Sequence, residues 1–210
     1  MRIAYVTVDP GIPVFGTKGA SVHIQEVVRE LIRRGHDVTV HTTRAGRDIP
    51  DDLAGLKVIE TRIEADDPAA RERAQQEVSA RIAARIIADG ADLVYERYSL
   101  FSTALAEVTD ATGAAGVLEV NAPLIEEQRT HRQLVLEDEA RAVAQSAFSQ
   151  ASAILAVSPG VADYLPPSRS PILSATGCGN APARIASTPF PTASASPASS
   201  RGPRRLATRW

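Results

Sequence analysis

The first 43 residues, MRIAYVTVDPGIPVFGTKGASVHIQEVVRELIRRGHDVTVHTT, restrict the fold more than any other stretch of this chain. Ile3, Tyr5, Val6 and Val8 form a mostly apolar run with almost no charge, the pattern of a strand covered on both faces in a parallel sheet. A loop with Gly11, Gly16, Gly19 and two prolines follows, and apolar residues then recur at helical spacing as Ile24, Val27, Val28, Leu31 and Ile32, which predicts a helix beginning near Ser21. Gly35 stands where a helix end wants a left-handed residue, and Asp37 to Thr42 resumes a strand. The unit is βαβ, and its right-handed crossover aims the glycine loop and the helix N-terminus at a ligand crevice.

The alternation continues down the chain. Leu56 to Glu60 reads as a short strand, Pro68 to Asp89 as a surface helix with Ala70, Ala74, Val78, Ile82 and Ile86 on one face, and Asp92 to Glu96 as the next strand. A helix from about Leu100 to Val108, a strand from Val117 to Asn121, a helical region from Pro123 to about Ser149 broken near Arg129 to Gln133, and a strand from Ile154 to Ser158 complete the reading. Pro159 suits the first turn of a short helix after that strand. The predicted fold class is α/β, a Rossmann-like doubly wound parallel sheet over residues 1–173. Four strands end in Asp9, Arg97, Asn121 and Ser158, and a doubly wound sheet turns such ends toward one crevice.

From Ser174 the composition changes. Residues 174–210 contain no Asp, Glu or Lys but five Arg, with abundant Ala, Ser, Pro and Thr, and they predict a second region without a fold of its own. That composition is also what a GC-rich gene yields when read out of frame. The formal net charge of -2 gives no electrostatic footprint for nucleic acid, and the single Cys178 excludes an intrachain disulfide. No apolar run approaches the roughly 18 residues of a membrane helix, and no signal peptide precedes the first strand. These features predict a cytoplasmic chain, with peripheral contact to a membrane surface left open.

The loop from Gly11 to Ser21 can cradle a phosphate through backbone N–H groups and the helix dipole. It is not a Walker A loop, because Gly16-Thr17-Lys18 inverts the Lys-Thr order that places lysine on phosphate and hydroxyl on Mg²⁺, and GxGxxG is absent. His23 lies in the first turn of the helix, where its ring can reach a crevice. Glu119 and Asn121, two apart on a strand, point to the same side and can hold a substrate hydroxyl, or Glu119 can pair with a nearby arginine. His36 suits a turn, His41 and His131 have no metal-ligand spacing, and no nucleophile elbow is present.

In order and spacing, MRIAYVT, FGTKGASVH, RRGHDVTVHTT, YERYSLFS, LEVNAPLIEE and ILAVSPGVADYL resemble the N-terminal, acceptor-side domain of GT-B glycosyltransferases, in particular the retaining family 4 group. The resemblance implies that Gly16, Thr17, Gly19 and Ser21 approach a donor diphosphate, and that His23, Arg97, Glu119 and Asn121 serve acceptor or sugar. It implies a nucleotide sugar, UDP- or GDP-linked, as co-substrate, a hydroxyl acceptor, hexosyl transfer, and no metal or other cofactor. Many members carry histidine where this chain has Asn121. The C-terminal domain, with the acidic E-x7-E element and the basic pair of the family, is missing after residue 173, so the isolated chain is expected to be truncated and inactive. The alternative from another class is a non-catalytic flavodoxin-like ligand-binding or regulatory module, which would present a complete sheet with no bare apolar face.

Overall fold

β1 (Arg2–Thr7) has five of its six residues buried, as a strand covered on both faces must. In the computed structural model, which describes residues 1–166 and 170–174 within one compact unit (Met1–Cys178), this strand lies inside a seven-stranded parallel sheet. The other strands are β2 (Asp37–Thr42), β3 (Lys57–Glu60), β4 (Leu93–Arg97), β5 (Ala115–Val120), β6 (Ala153–Ala156) and β7 (Ile172–Ser174). The helices are α1 (Gly19–Arg33), α2 (Pro68–Asp89), α3 (Ala104–Thr112), α4 (Leu124–His131), α5 (Glu137–Gln150) and α6 (Pro159–Tyr164). The strand order is β3-β2-β1-β4-β5-β6-β7, with every neighbouring pair parallel. The order reverses between β1 and β4, and in such sheets the ligand crevice opens there, beyond the carboxyl ends of the strands.

Local chemistry sets the element ends. Asp67 caps α2 by accepting the Ala70 amide at 2.9 Å, with Pro68 in the first turn, and Ser158 caps α6 ahead of Pro159. Gly35 ends α1 at φ 81, a conformation that costs other residues energy, while His36 donates its amide to the Leu31 carbonyl. α3 begins at Ala104 rather than near Leu100. Ser79 Oγ takes the Thr103 amide at 2.7 Å and the Glu96 carboxylate takes the Leu105 amide at 2.8 Å, so remote side chains fix the start, while Phe101 bends the chain ahead of it at φ 61.

β7 was not expected. Ser174, which the composition assigned to the tail, is its last residue and pairs with Ala156 of β6. The expectation of an unfolded or out-of-frame segment otherwise falls on residues 175–210, outside the described residues.

The two faces of the sheet are covered unequally. Ala4, Val6, Val94, Leu118, Val120 and Ile154 pack on one side beneath α2, α3 and α5, with Ile125 of α4 and Val161 of α6 in the same core. On the other side Ile3, Tyr5, Val38 and Val40 pack beneath Ile24 and Val28 of α1, and this second core reaches only as far as Leu93 and Tyr95 of β4. Register and alternation place Val117, Leu155 and Leu173 on the α1 side of β5, β6 and β7. There Leu173 is 55% exposed and Val157, next in the alternation after Leu155, is 37% exposed. Among the described residues, Val157 and Leu173 thus stand exposed on that side of β6 and β7, where parallel sheets ordinarily carry a cover.

Candidate functional site

A cleft of about 980 Å³ opens at the carboxyl ends of β1, β4 and β5, lined by Asp9, Gly11, Arg71, Arg97, Asn121 and Arg132 among others. It stands at the reversal of strand order. Its floor on the α1 side is a hydrogen-bond network centred on Glu119, which is 2% exposed. Glu119 Oε1 accepts from Asn121 Nδ2 at 2.6 Å, meets His23 Nε2 at 2.9 Å and accepts from Arg97 Nη1 at 3.1 Å, while Tyr95 donates its hydroxyl to Oε2 at 2.5 Å. Tyr95 stacks on Tyr5 with ring centroids 5.3 Å apart, so the network rests on a packed aromatic layer.

Burial by itself would raise the Glu119 carboxyl, but the hydrogen bonds from His23, Tyr95 and Asn121 outweigh it and hold the group at about 2. Glu119 is therefore an anion across the ordinary pH range. Its hydrogen bond in turn raises the His23 imidazole above its usual value, against the opposite pull of burial. Burial also pushes the Tyr5 and Tyr95 hydroxyls up, so both stay protonated, and Tyr95 spends its proton on Glu119.

Four of the sequence-predicted site residues, His23, Arg97, Glu119 and Asn121, thus meet in one network, contributed by α1, the end of β4, and β5 with the residue after it. Arg97 and Asn121 also line the cleft, whereas Glu119 lies beneath it with both oxygens engaged, which makes it a positioning group for the others.

The loop between β1 and α1 is held by its own surroundings. Val14 and Phe15 donate their amides to the Arg44 and Ala45 carbonyls at 3.0 and 2.7 Å, and Gly46 sits against them at φ 86, where an added Cβ would meet the Phe15 carbonyl oxygen at 2.0 Å. Gln25 Nε2 donates to the Val14 and Gly16 carbonyls at 3.0 Å each, and Asp9 Oδ1 accepts the Gly11 amide at 2.7 Å. Ser21 is 1% exposed and gives its hydroxyl proton to the Pro13 carbonyl at 2.6 Å. Its side chain is turned into the loop and so serves as a clamp. Thr17 and Gly19 are exposed, and the first turn of α1 carries no acidic residue to compete for an anion. Asp9 to Ile12 reach the cleft, while Gly16, Thr17 and Gly19 lie outside its lining.

Tyr95 and Gln25 were not singled out by the sequence. Period two from Arg97 marks Tyr95, and the i, i+4 step from Ser21 marks Gln25, so each had a signal. Arg71, Glu72 and Arg132 had none, because α2 and the segment after α4 reach the cleft only through tertiary packing. Glu72 accepts the Val135 and Leu136 amides, at 3.0 and 2.7 Å, and so pins that segment.

Among the described residues no group of three or more His, Cys, Asp and Glu side chains is arranged to hold a metal ion, and no helix is long and apolar enough to cross a membrane.

No curated protein sequence matches the chain. Among solved structures it is similar to a sucrose-phosphate synthase from Thermosynechococcus elongatus, at 14% identity and TM-score 0.54, covering 82% of this chain and 86% of that one. It is also similar to MurG of Acinetobacter baumannii, at 11% identity and TM-score 0.50, covering 81% of this chain and 44% of that one. At those identities the likeness concerns the fold. A third similar structure, UGT2 of Phytolacca americana, has 15% identity and TM-score 0.49 with 84% of this chain covered, and this chain spans 53% of its length. Residues 17–169 match the description of Glycosyltransferase Family 4, a span that runs from the glycine loop through α6. The chain belongs to glycosyltransferase family 4.

Proposed function

We propose that this chain is the acceptor-side half of a retaining, nucleotide-sugar-dependent glycosyltransferase, with a UDP- or GDP-hexose as donor and a hydroxyl group as acceptor. The family match over residues 17–169 carries the reading, and the cleft at the reversal of strand order supplies a place for the acceptor. The backbone of Gly16, Thr17 and Gly19, beside the N-terminus of α1, faces the donor diphosphate, with Ser21 and Gln25 holding that loop in shape. Arg97 and Asn121 contact the acceptor, and Glu119 fixes them together with His23. Catalysis rests on positioning and on stabilising the leaving diphosphate, without a resident metal or other cofactor. The protein works in the cytoplasm, with peripheral membrane contact if its acceptor is a lipid.

The exposure of Val157 and Leu173 among the described residues favours this reading over a self-contained flavodoxin-like sensor, since a complete single-domain module would have covered them. The 210-residue chain is then inactive alone and needs a C-terminal half. Reading the gene beyond codon 173 in all frames and assaying the intact enzyme for nucleoside diphosphate release tests this. Donor-dependent glycosyl transfer is expected only with the second half present. Measurable transfer by the purified 210-residue chain would overturn the claim of inactivity, and a downstream sequence with no E-x7-E-like element in any frame would overturn the two-half reading.

A further inference from the structure

We propose that the acceptor carries an anionic group, a phosphate or carboxylate, and that Arg97 at the end of β4 is the residue that grips it; this rests on the cleft being the acceptor side of a glycosyl transfer. Arg97 is 9% exposed and lines the cleft. Of its three guanidinium nitrogens only Nη1 is engaged, on Glu119; Nε and Nη2 make no hydrogen bond with any described residue. A guanidinium buried to that degree, with part of its donor fork turned to a cavity, calls for an acceptor group to fill it. The planar fork matches two oxygens of one carboxylate or phosphate better than it matches an alcohol.

The charge balance points the same way. Glu119 is not given to Arg97 alone, because the same Oε1 also meets His23 Nε2 and accepts from Asn121 Nδ2. Arg71 and Arg132 line other walls of the cleft, both exposed and neither in an ion pair with a described carboxylate. Of the acids on the cleft, Glu72 turns both oxygens to the Val135 and Leu136 amides and Asp9 turns Oδ1 to the Gly11 amide, while Glu127 stands exposed on α4. Thus three arginines offer unfilled donors to the cleft, against the Glu127 carboxylate and the second oxygen of Asp9.

The test uses the 210-residue chain. Its amide NMR spectrum is followed during titration with inorganic phosphate, glucose 6-phosphate and, as the neutral control, glucose, all at ionic strength matched with chloride. Saturable shifts of Gly11 and Asn121 are expected with the two phosphates and not with glucose. Arg97→Lys, which keeps the charge and loses the fork, is expected to weaken glucose 6-phosphate binding at least tenfold, and the exposed pair Arg71→Gln with Arg132→Gln several-fold, with the remaining spectrum unchanged. Cosedimentation with phosphatidylcholine vesicles doped with phosphatidylglycerol, compared with phosphatidylcholine alone, separates a lipid headgroup from a soluble anion. Arg97-dependent binding in either arm supports the proposal. No saturable binding in both arms, or binding unaltered by Arg97→Lys and by the double variant, overturns it. Arg97-dependent anion binding in an intact enzyme that transfers no sugar would instead sink the glycosyltransferase reading and leave the anion site standing.

Discussion

Two buried carboxylates on neighbouring strands behave in opposite ways. Glu119 on β5 faces α1 and meets donors from His23, Arg97, Asn121 and Tyr95. Glu96 on β4 faces α3, 1% exposed, where Oε2 accepts the Leu105 amide and Oε1 meets no donor. Burial is nearly equal, yet the first group is held at about 2 and burial pushes the second up to about 7, against the lowering pull of the nearby Ser102 hydroxyl and the Leu105 amide. What differs is the number of donors each carboxylate meets. Depth of burial sets the cost of a charge, and the donors around it decide whether the charge is kept. On the cleft side the charge is kept and spent on orienting other side chains, whereas on the core side the carboxyl serves as a helix cap and is readily neutralised.

Removing the charge on the cleft side should have the largest effect. Glu119→Leu leaves Arg97 buried without its anion and should cost about 3–5 kcal/mol of unfolding free energy in urea at pH 7. A cost below about 1 kcal/mol would show that water already neutralises the site. On the core side the sign reverses with pH. Because the folded value of Glu96 is raised, its contribution is full below about 4.5 and is lost as pH rises toward about 7, roughly 3 kcal/mol in all by linkage. Glu96→Gln should remove that slope and so gain relative stability between pH 5 and 8, read from urea midpoints across the range. Glu119, held low, works in the other window, so its share should disappear only as pH falls from about 4.5 toward 2.

Smaller effects separate the loop from the network. Gly46→Ala forces a side chain into the Phe15 carbonyl at positive φ and should cost about 2 kcal/mol, with raised hydrogen exchange at Val14 and Phe15 as the local readout. Ser21→Ala, which loses one hydrogen bond to Pro13, should cost about 1 kcal/mol. The mildest change is spectroscopic: in Glu119→Gln the His23 imidazole should titrate at lower pH than in the parent chain, followed by its ring proton shifts. An unaltered titration would remove Glu119 as the cause.

The backbone plan was more legible than the chemistry laid on it. The run from Ile3 to Val8 and the turn at Gly35 carry local physical meaning, and the βα alternation extends it to most of the sheet. Pro159 likewise announces a helix start, while Ser158, read as a strand end, proves to be the cap of that helix. β7 escaped because three residues, Ile172 to Ser174, are too few to show a period and gain their meaning from pairing with β6. The start of α3 moved because its orphan amides are taken by Ser79 and Glu96 from elsewhere in the chain. The members of the Glu119 network were legible as four strand-end or helix-start residues, but its hub was not. His23 and Glu119 are 96 positions apart, and only folding reveals that one carboxylate serves both His23 and Arg97. The role of the Ser21 hydroxyl was not legible either, since its bond to the Pro13 carbonyl spans eight positions and clamps the loop.

The ties on the loop between β1 and α1 bear on kinetics. With its backbone bonded to Arg44 and Ala45, and its carbonyls taken by Ser21 and Gln25, this segment has its ordering cost met when the chain folds rather than when a ligand arrives. Such a loop makes a poor lid. In the two-half enzyme proposed above, gating would fall to rigid-body approach of the second half, so turnover would track interdomain motion and respond to solvent viscosity, while the loop itself stayed silent on the microsecond to millisecond scale.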